Sequence, residues 1–356
     1  HMSKSLKFAA LAIMGATAIS SHSASAETMK ITFAAAPPPA QLLLRIANKY
    51  YIPTVNKRLA AGGDFKIQWT KAWGSSLAGF KDTFEAVEEG IAQMAMTLNV
   101  FEQSNLPFEN LSYKVPFATA NVKLLNQVHK DLHKKFPVMG KAWSSRNQVY
   151  LGGAASDTWN LITKFPVTKY EDLKGKRIGA SGAASAWIRA VGGVPVTSSM
   201  NQSFTNIKNG LYEGYPISNT LAFIYKTYEA AKHLTQVNFG ATVGPSISFN
   251  KQTWDKIPGY AQKILRQESA ILLGKYSGGS MGLAKKFGGI MKKKGVKIAG
   301  FPESERRRWA MKLPNVPKIW AANWEKKGLP AKAILQAYLD GLRAGGEKLA
   351  RDWDKE

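Results

Sequence analysis

One order of elements occurs twice in this chain, and few folds accommodate it. From Lys30, "KITFAAA" has a strand pattern, and the turn Pro37–Pro39 leads into a helical stretch with apolar Leu43, Ile46, Ala47 and Tyr50. "FKIQWTKA" reads as a second strand. "FKDTFEAVEEG" is a helix with Phe80, Phe84 and Val87 on one face, stopped by Gly90, and "IAQMAMTL" is a third strand. The same strand–helix–strand–helix–strand order returns in "GKRIGAS", "AASAWIRAVGG", "VPVTSS", "MNQSFTNIKNG" and "LYEGYPIS". Such alternation implies parallel sheets with helices on both faces. The expected fold is therefore α/β with two lobes, each a β-sheet flanked by helices. Ligands of open α/β sheets bind beyond the carboxyl ends of the strands. Two facing lobes would share one such cleft and close about a hinge.

The segments outside the two units set the boundaries. Lys4 and Lys7 precede the apolar run "FAALAIMGATAIS", and small residues at Ala24 and Ala26 end it. This is the pattern of an export signal cleaved after Ala26, with His1-Met2 as a cloning scar. Residues 27–150 are assigned to lobe 1, with later segments returning to it, and 151–250 to lobe 2. Residues 251–356 are assigned to a helical region packing across both. Within that region 257–294 reads as one long helix, and Trp309, Trp320 and Trp324 lie on further helices; "LAFIYKTYEAAKHL" is read as a helix before it. The chain has no cysteine, so packing alone must hold an exported fold, and no thiolate is available to bind metal or attack a substrate.

Charge and motifs narrow the chemistry. The net charge is +25, of which Lys4 and Lys7 supply two. Such a field attracts anions. The basic residues are scattered, however, and the runs Lys292–Lys294 and Arg306–Arg308 read as solvated helix faces, with no nucleic-acid motif beside them. The loop "RIGASGAAS" resembles the start of a dinucleotide site, but a third glycine is missing after Gly179 and Gly182, and no carboxylate follows until Glu213. His129 and His133 are four apart and could share a zinc ion, but no third ligand is visible and lysines surround them. They are read as solvent-facing, with no metal and no cofactor expected. No serine elbow or nucleophile–base pair is found, so no enzyme activity is expected.

Several pieces, taken in order, resemble a known family. "PVTKYEDLKGKRI" has a proline-led turn, an acidic residue, "DLKG" and a strand. "GSSLAG", "LPFENLSYKVPF" with Val115-Pro116-Phe117, "NIKNGLYEGYPIS" and "SFNKQTWDKIPGYAQKIL" with Asn250, Trp254 and Pro258 follow the same pattern. Together they are similar to the solute receptors of tripartite ATP-independent periplasmic (TRAP) transporters, the dicarboxylate-receptor family, over nearly all of residues 28–345. The resemblance implies a two-lobed periplasmic-binding-protein fold that captures a small organic acid and delivers it to membrane subunits, working as a monomer without nucleic acid. It also implies an arginine salt-bridged to the ligand carboxylate. The family position in the strand after "DLKG" is Gly179 here, and a second frequent arginine falls near Trp159. Arg177 lies about 7 Å back along the strand, and Arg189 is on the following helix.

The expected ligand-binding set is Trp73, Asn99, Phe101, Trp159, Ser181, Trp187, Tyr215 and Asn219. Aromatic walls with few polar groups suit a flat ligand, and the start of the helix near Gly182, beside Ser181 and Ser185, is expected to receive a carboxylate without a cation. The expected solute is an aromatic or cyclic monocarboxylate. The alternatives are a sulfonate, a sugar lactone or another neutral solute, or an exported binding protein outside transport.

Overall fold

The computed structural model describes residues 27–356; the expected export signal lies outside the described residues. The first unit runs β1 (Thr28–Ala35), α1 (Leu42–Ile46), α2 (Ile52–Gly62), β2 (Lys66–Trp73), α3 (Thr83–Glu88) and β3 (Met94–Leu98). Residues Ala47–Tyr51, between α1 and α2, form a π-helical turn. Pro53 follows at the start of α2. Its missing N–H and bulky ring disfavour an unbroken α-helical ladder at this point. β1 pairs in parallel with β2 and with β3.

A helical stretch follows: α4 (Leu111–Lys114), α5 (Val122–Lys135) and α6 (Pro137–Ser144). The second unit then runs β4 (Gln148–Thr163), β5 (Arg177–Ala180), α7 (Ala184–Arg189), β6 (Val194–Thr197), α8 (Ser203–Lys208) and β7 (Gly214–Ser218). The stretch read as one helix after it is two short ones, α9 (Asn219–Ile224) and α10 (Thr227–Ala230), separated by Lys226 at φ 57°. Beyond them come β8 (His233–Asn250), α11 (Lys251–Asp255), α12 (Gly259–Lys293), β9 (Lys297–Gly300), α13 (Glu303–Lys312), α14 (Val316–Glu325) and α15 (Ala331–Ala344).

The sheets are not purely parallel, as the alternation had implied. β4 and β8 are long antiparallel partners, and β3 and β7 join them antiparallel on opposite sides, giving the order β2-β1-β3-β8-β4-β7. β5 and β6 form a separate parallel pair. The two units are thus the two lobes, and β4 and β8 run through both. Their ladder slips repeatedly between Tyr150 and Leu161. Gly152 and Gly240, both at φ 135°, lie along this irregular stretch. Bulges and glycines bend and twist a strand pair, which suits a hinge.

α12 is the third connection. Its first half meets lobe 1 through Tyr51 and Ser269, whose hydroxyls are 3.2 Å apart, and through the Arg58–Glu268 ion pair at 2.7 Å. Its second half packs on α9 and β9. The hinge strand is pinned to it: Ser277 donates to the Ala155 carbonyl at 2.6 Å, and Ser280 to Asp157 Oδ1 at 3.0 Å. Asp157 also accepts from the Thr220 N–H that opens α9, and burial raises its carboxyl pKa above the ordinary aspartate value.

One apolar cluster of 31 to 276 serves lobe 1, with Phe33, Leu43, Met96, Phe249 and Leu272 fully buried or nearly so. The C-terminal helices join a second cluster. Trp309 donates to the Trp187 carbonyl at 3.0 Å, and Trp320 packs edge-on against Phe108. The run Arg306–Arg308 is not a uniformly solvated face. Arg306 is buried, donating to the carbonyls of Asn238 and Phe117, while Lys292–Lys294 are exposed. One backbone carbonyl in β8 and one in the loop before α5 hold this guanidinium inward.

Candidate functional site at the facing strand ends

Register places the ends of the two lobes against one another. Leu98, the last residue of β3, pairs with Pro245, while Ser218, the last of β7, pairs with Trp159, which itself pairs with Gly240. β3 points along β8 toward lobe 2, and β7 points along β4 toward lobe 1. The two ends are therefore separated by about five residues of β4, roughly 16 Å at the usual strand rise. β1 and β2 end level with β3, through Ala35–Met96 and Ala35–Trp73. β5 lies beside β7, where Glu213 N–H donates to the Arg177 carbonyl at 2.8 Å and Tyr215 OH to Ser181 Oγ at 3.4 Å.

Several expected residues lie at or near these strand ends. Trp73 closes β2, nearly buried and edge-on to Phe33 at 5.6 Å. Asn99 follows β3, fully buried, and donates to the Val243 carbonyl at 3.2 Å. Trp159 is half-buried on β4, and Asn219 is half-buried just after β7, accepting from Asn160 at 3.0 Å. Phe101 is exposed against Phe80 at 5.2 Å and, with Lys81, Glu102 and Gln103, lines an open cavity of about 340 Å³ past the end of β3. Ser181 is exposed at the end of β5.

Two expected wall residues turn inward instead. Trp187 is buried and stacks on Phe239 at 4.8 Å, in the cluster that α13 to α15 complete. Tyr215 is 1% exposed, and its hydroxyl donates to the Ser198 carbonyl at 2.6 Å. Burial raises that phenol to about 12. At the helix expected to receive a carboxylate, α7 has six residues, and the N–H groups of Ala184 and Ser185 already donate to the carbonyls of Ser181 and Gly182. Arg177 donates to the Gly210 carbonyl, and Arg189 is exposed.

The glycine at 179 has a local cause. A Cβ there would lie 2.5 Å from the Tyr212 ring, which is fully buried and hydrogen-bonded through its hydroxyl to Ser198 Oγ at 2.8 Å. A tyrosine occupies the space that any side chain on this face of β5 would need.

No sequence pattern marks the buried polar atoms near these strand ends. Trp73 Nε1, Thr97 Oγ1, Asn99 Oδ1, Thr158 Oγ1 and Ser246 Oγ are buried without a protein hydrogen-bond partner. Thr97 and Ser246 are paired across β3 and β8, and Thr158 precedes Trp159. Single threonines and serines carry no motif, so only the register could gather them. The histidine reading also changes. His129 and His133 are not solvent-facing: both turn inward onto the buried carboxylate of Glu109, each at 2.7 Å. Apolar Val122, Leu125, Val128 and Leu132 share that inner face of α5, and their burial carries the histidines inside.

A family model described as bacterial extracellular solute-binding protein, family 7 (DctP), matches residues 46–323, well over half of the chain. The chain belongs to this family. The DctP fold is repeated in solved TRAP periplasmic solute-binding proteins. One from Desulfovibrio salexigens, in an open complex, is 20% identical with a TM-score of 0.78, covering 88% of this chain and 95% of that one. One from Chromohalobacter salexigens, with bound D-glucuronate, is 14% identical with a TM-score of 0.73, covering 87% and 99%. DctP6 of Bordetella pertussis, which binds pyroglutamic acid, is 21% identical with a TM-score of 0.71, covering 89% and 100%. DctP proteins are solute-binding receptors, working outside the cytoplasm, rather than enzymes. Among the described residues no helix is long and apolar enough to cross a membrane.

Proposed function

We propose that this DctP protein is the periplasmic receptor of a TRAP transporter for a cyclic or aromatic monocarboxylate, exported by its N-terminal segment and acting as a monomer. The observation that carries the reading is the set of unpartnered polar atoms near the ends of β2 and β3 and on the strands β4 and β8 beside them: Trp73 Nε1, Thr97 Oγ1, Asn99 Oδ1, Thr158 Oγ1 and Ser246 Oγ. Each such buried group costs about 1–3 kcal/mol until something bonds it. A solute spanning the gap would supply those bonds to both lobes and shift the population toward closure. The closed form then docks on membrane subunits, which move the solute with an ion gradient.

Trp73 Nε1 and the hydroxyls of Thr97, Thr158 and Ser246 can donate to one acid group, while Asn99 Oδ1 can only accept, which favours a ring carrying a single carboxylate and a hydroxyl or N–H. Neither Trp159 nor Gly179 offers the paired guanidinium that two carboxylates would need, and Tyr212 fills the space beside Gly179. The bound solutes of the Chromohalobacter and Bordetella proteins, a uronate and pyroglutamate, are themselves cyclic monocarboxylates. The broad positive charge supports anion capture. A second reading has its own support: the unpartnered atoms are uncharged, which also suits a neutral ring such as a sugar lactone.

Titration calorimetry with benzoate, an aryl keto acid, pyroglutamate, glucuronate, succinate, a sulfonate and a lactone tests this. One-to-one binding of a cyclic or aromatic monocarboxylate, with succinate silent, is the expected result. Tight succinate binding with the ring acids silent would overturn it, and binding of the lactone alone would transfer the assignment to the second reading.

A further inference from the structure

The Glu109 cluster lies apart from the facing strand ends. Glu109, in the turn before α4, is 2% exposed; His129 and His133 stand one turn apart on α5, with side-chain exposures of 7% and 13%. His129 Nε2 is 2.7 Å from Glu109 Oε2, and His133 Nε2 is 2.7 Å from Glu109 Oε1. Those distances would suit hydrogen bonds, but the directions do not: Glu109 Oε2 and His133 Nε2 are buried and have no hydrogen-bond partner. The contacts are short and off-axis. Donor atoms from all three residues nevertheless lie within 4.8 Å of one another. Buried ligands that converge without bonding each other are what a shared cation requires.

The surroundings hold the three groups in place. Trp143 Nε1 donates to Glu109 Oε1 at 3.0 Å, orienting the carboxylate. The His133 ring stacks on Tyr150 at 4.2 Å, and the Tyr150 hydroxyl lies 3.2 Å from His129 Nε2. The Trp143 bond is an outer contact of the kind that orients a ligating carboxylate, and the Tyr150 stack holds the His133 ring, while the Tyr150 hydroxyl contacts the ligating nitrogen of His129 itself and would give way to an ion. A cavity of about 260 Å³ adjoins the cluster, lined by His129, His133, Tyr150 and Gly152 among others.

We propose that Glu109, His129 and His133 form a binding site for one divalent transition-metal ion of the zinc class, with a further coordination position open to the adjoining cavity. Two imidazoles and one carboxylate are the ligand types such an ion takes. Lys130 and Lys134 at the cavity edge disfavour weakly held hard cations such as Ca²⁺, which need several oxygen ligands. A metal here would clamp α5 and the Glu109 turn beside Tyr150, at the start of the hinge strand. The expectation that no metal is bound would then be reversed.

The test uses the full chain purified without a histidine tag, stripped with a chelator and dialysed against Zn²⁺ or Co²⁺. One retained equivalent, visible Co²⁺ ligand-field bands and a Zn²⁺-dependent rise in the unfolding midpoint are expected. Glu109→Gln and His133→Gln should each weaken binding by at least about tenfold, with circular dichroism unchanged. No retained metal, or retention that both substitutions leave intact, overturns the proposal. If neither variant folds, the wild-type stoichiometry and Co²⁺ spectrum decide alone, and their absence overturns it.

Discussion

Gly179 shows how one residue can be read for what it lacks and explained by what it touches. The family comparison made its missing arginine the main clue to the solute. The structure adds that a side chain is excluded there by a ring that cannot yield: Tyr212 is fully buried and held by Ser198. Gly179→Ala should therefore cost about 1–3 kcal/mol, as overpacking does. Urea denaturation would read this as a lower midpoint at unchanged slope. An unchanged midpoint would mean that Tyr212 packing is not what demands glycine.

At the scale of elements, α12 combines a long span with a soft interior. It is 35 residues long, yet Gly274, Gly278 and Gly282 recur along an exposed stripe, and a Cβ at any of them would meet nothing within 4 Å. Glycine in a helix interior costs about 0.5–1 kcal/mol relative to alanine. These positions therefore hold the connecting helix below its available stability. Gly274→Ala and Gly282→Ala should each raise stability by about 0.5–1 kcal/mol, seen as a higher thermal midpoint. A fall at either site would show that the stripe is covered by something in solution.

At the scale of the molecule, the two lobes are joined by β4, β8 and α12 and face each other across the span between Leu98 and Ser218. A solute that bonds both sides must shorten that span. Small-angle scattering should show a smaller radius of gyration when a tight ligand is added, and no compaction at saturation would count against closure. The positive charge acts at this scale too, concentrating anions near the surface without selecting among them.

The sequence by itself determined the two strand–helix units, the length of α12 and the membership of a receptor family, because each is written in local periodicity or in ordered short motifs. It did not reveal β4 and β8 as continuous crossing strands. Their residues alternate poorly: β8 is buried on both faces for most of its length, β4 is half-buried on both faces for much of its own, and bulges break the period of two. Trp73, Asn99 and Asn219 could be placed near element ends from the sequence and Trp159 from the family resemblance; that the rings of Trp187 and Tyr215 turn into the core depends on neighbours far along the chain. Only the tertiary structure decided that Tyr212 occupies the face of Gly179, that Thr97 and Ser246 sit unpartnered side by side on β3 and β8, and that Glu109 meets two histidines. Each of these joins residues through packing, and packing partners leave no spacing in the sequence.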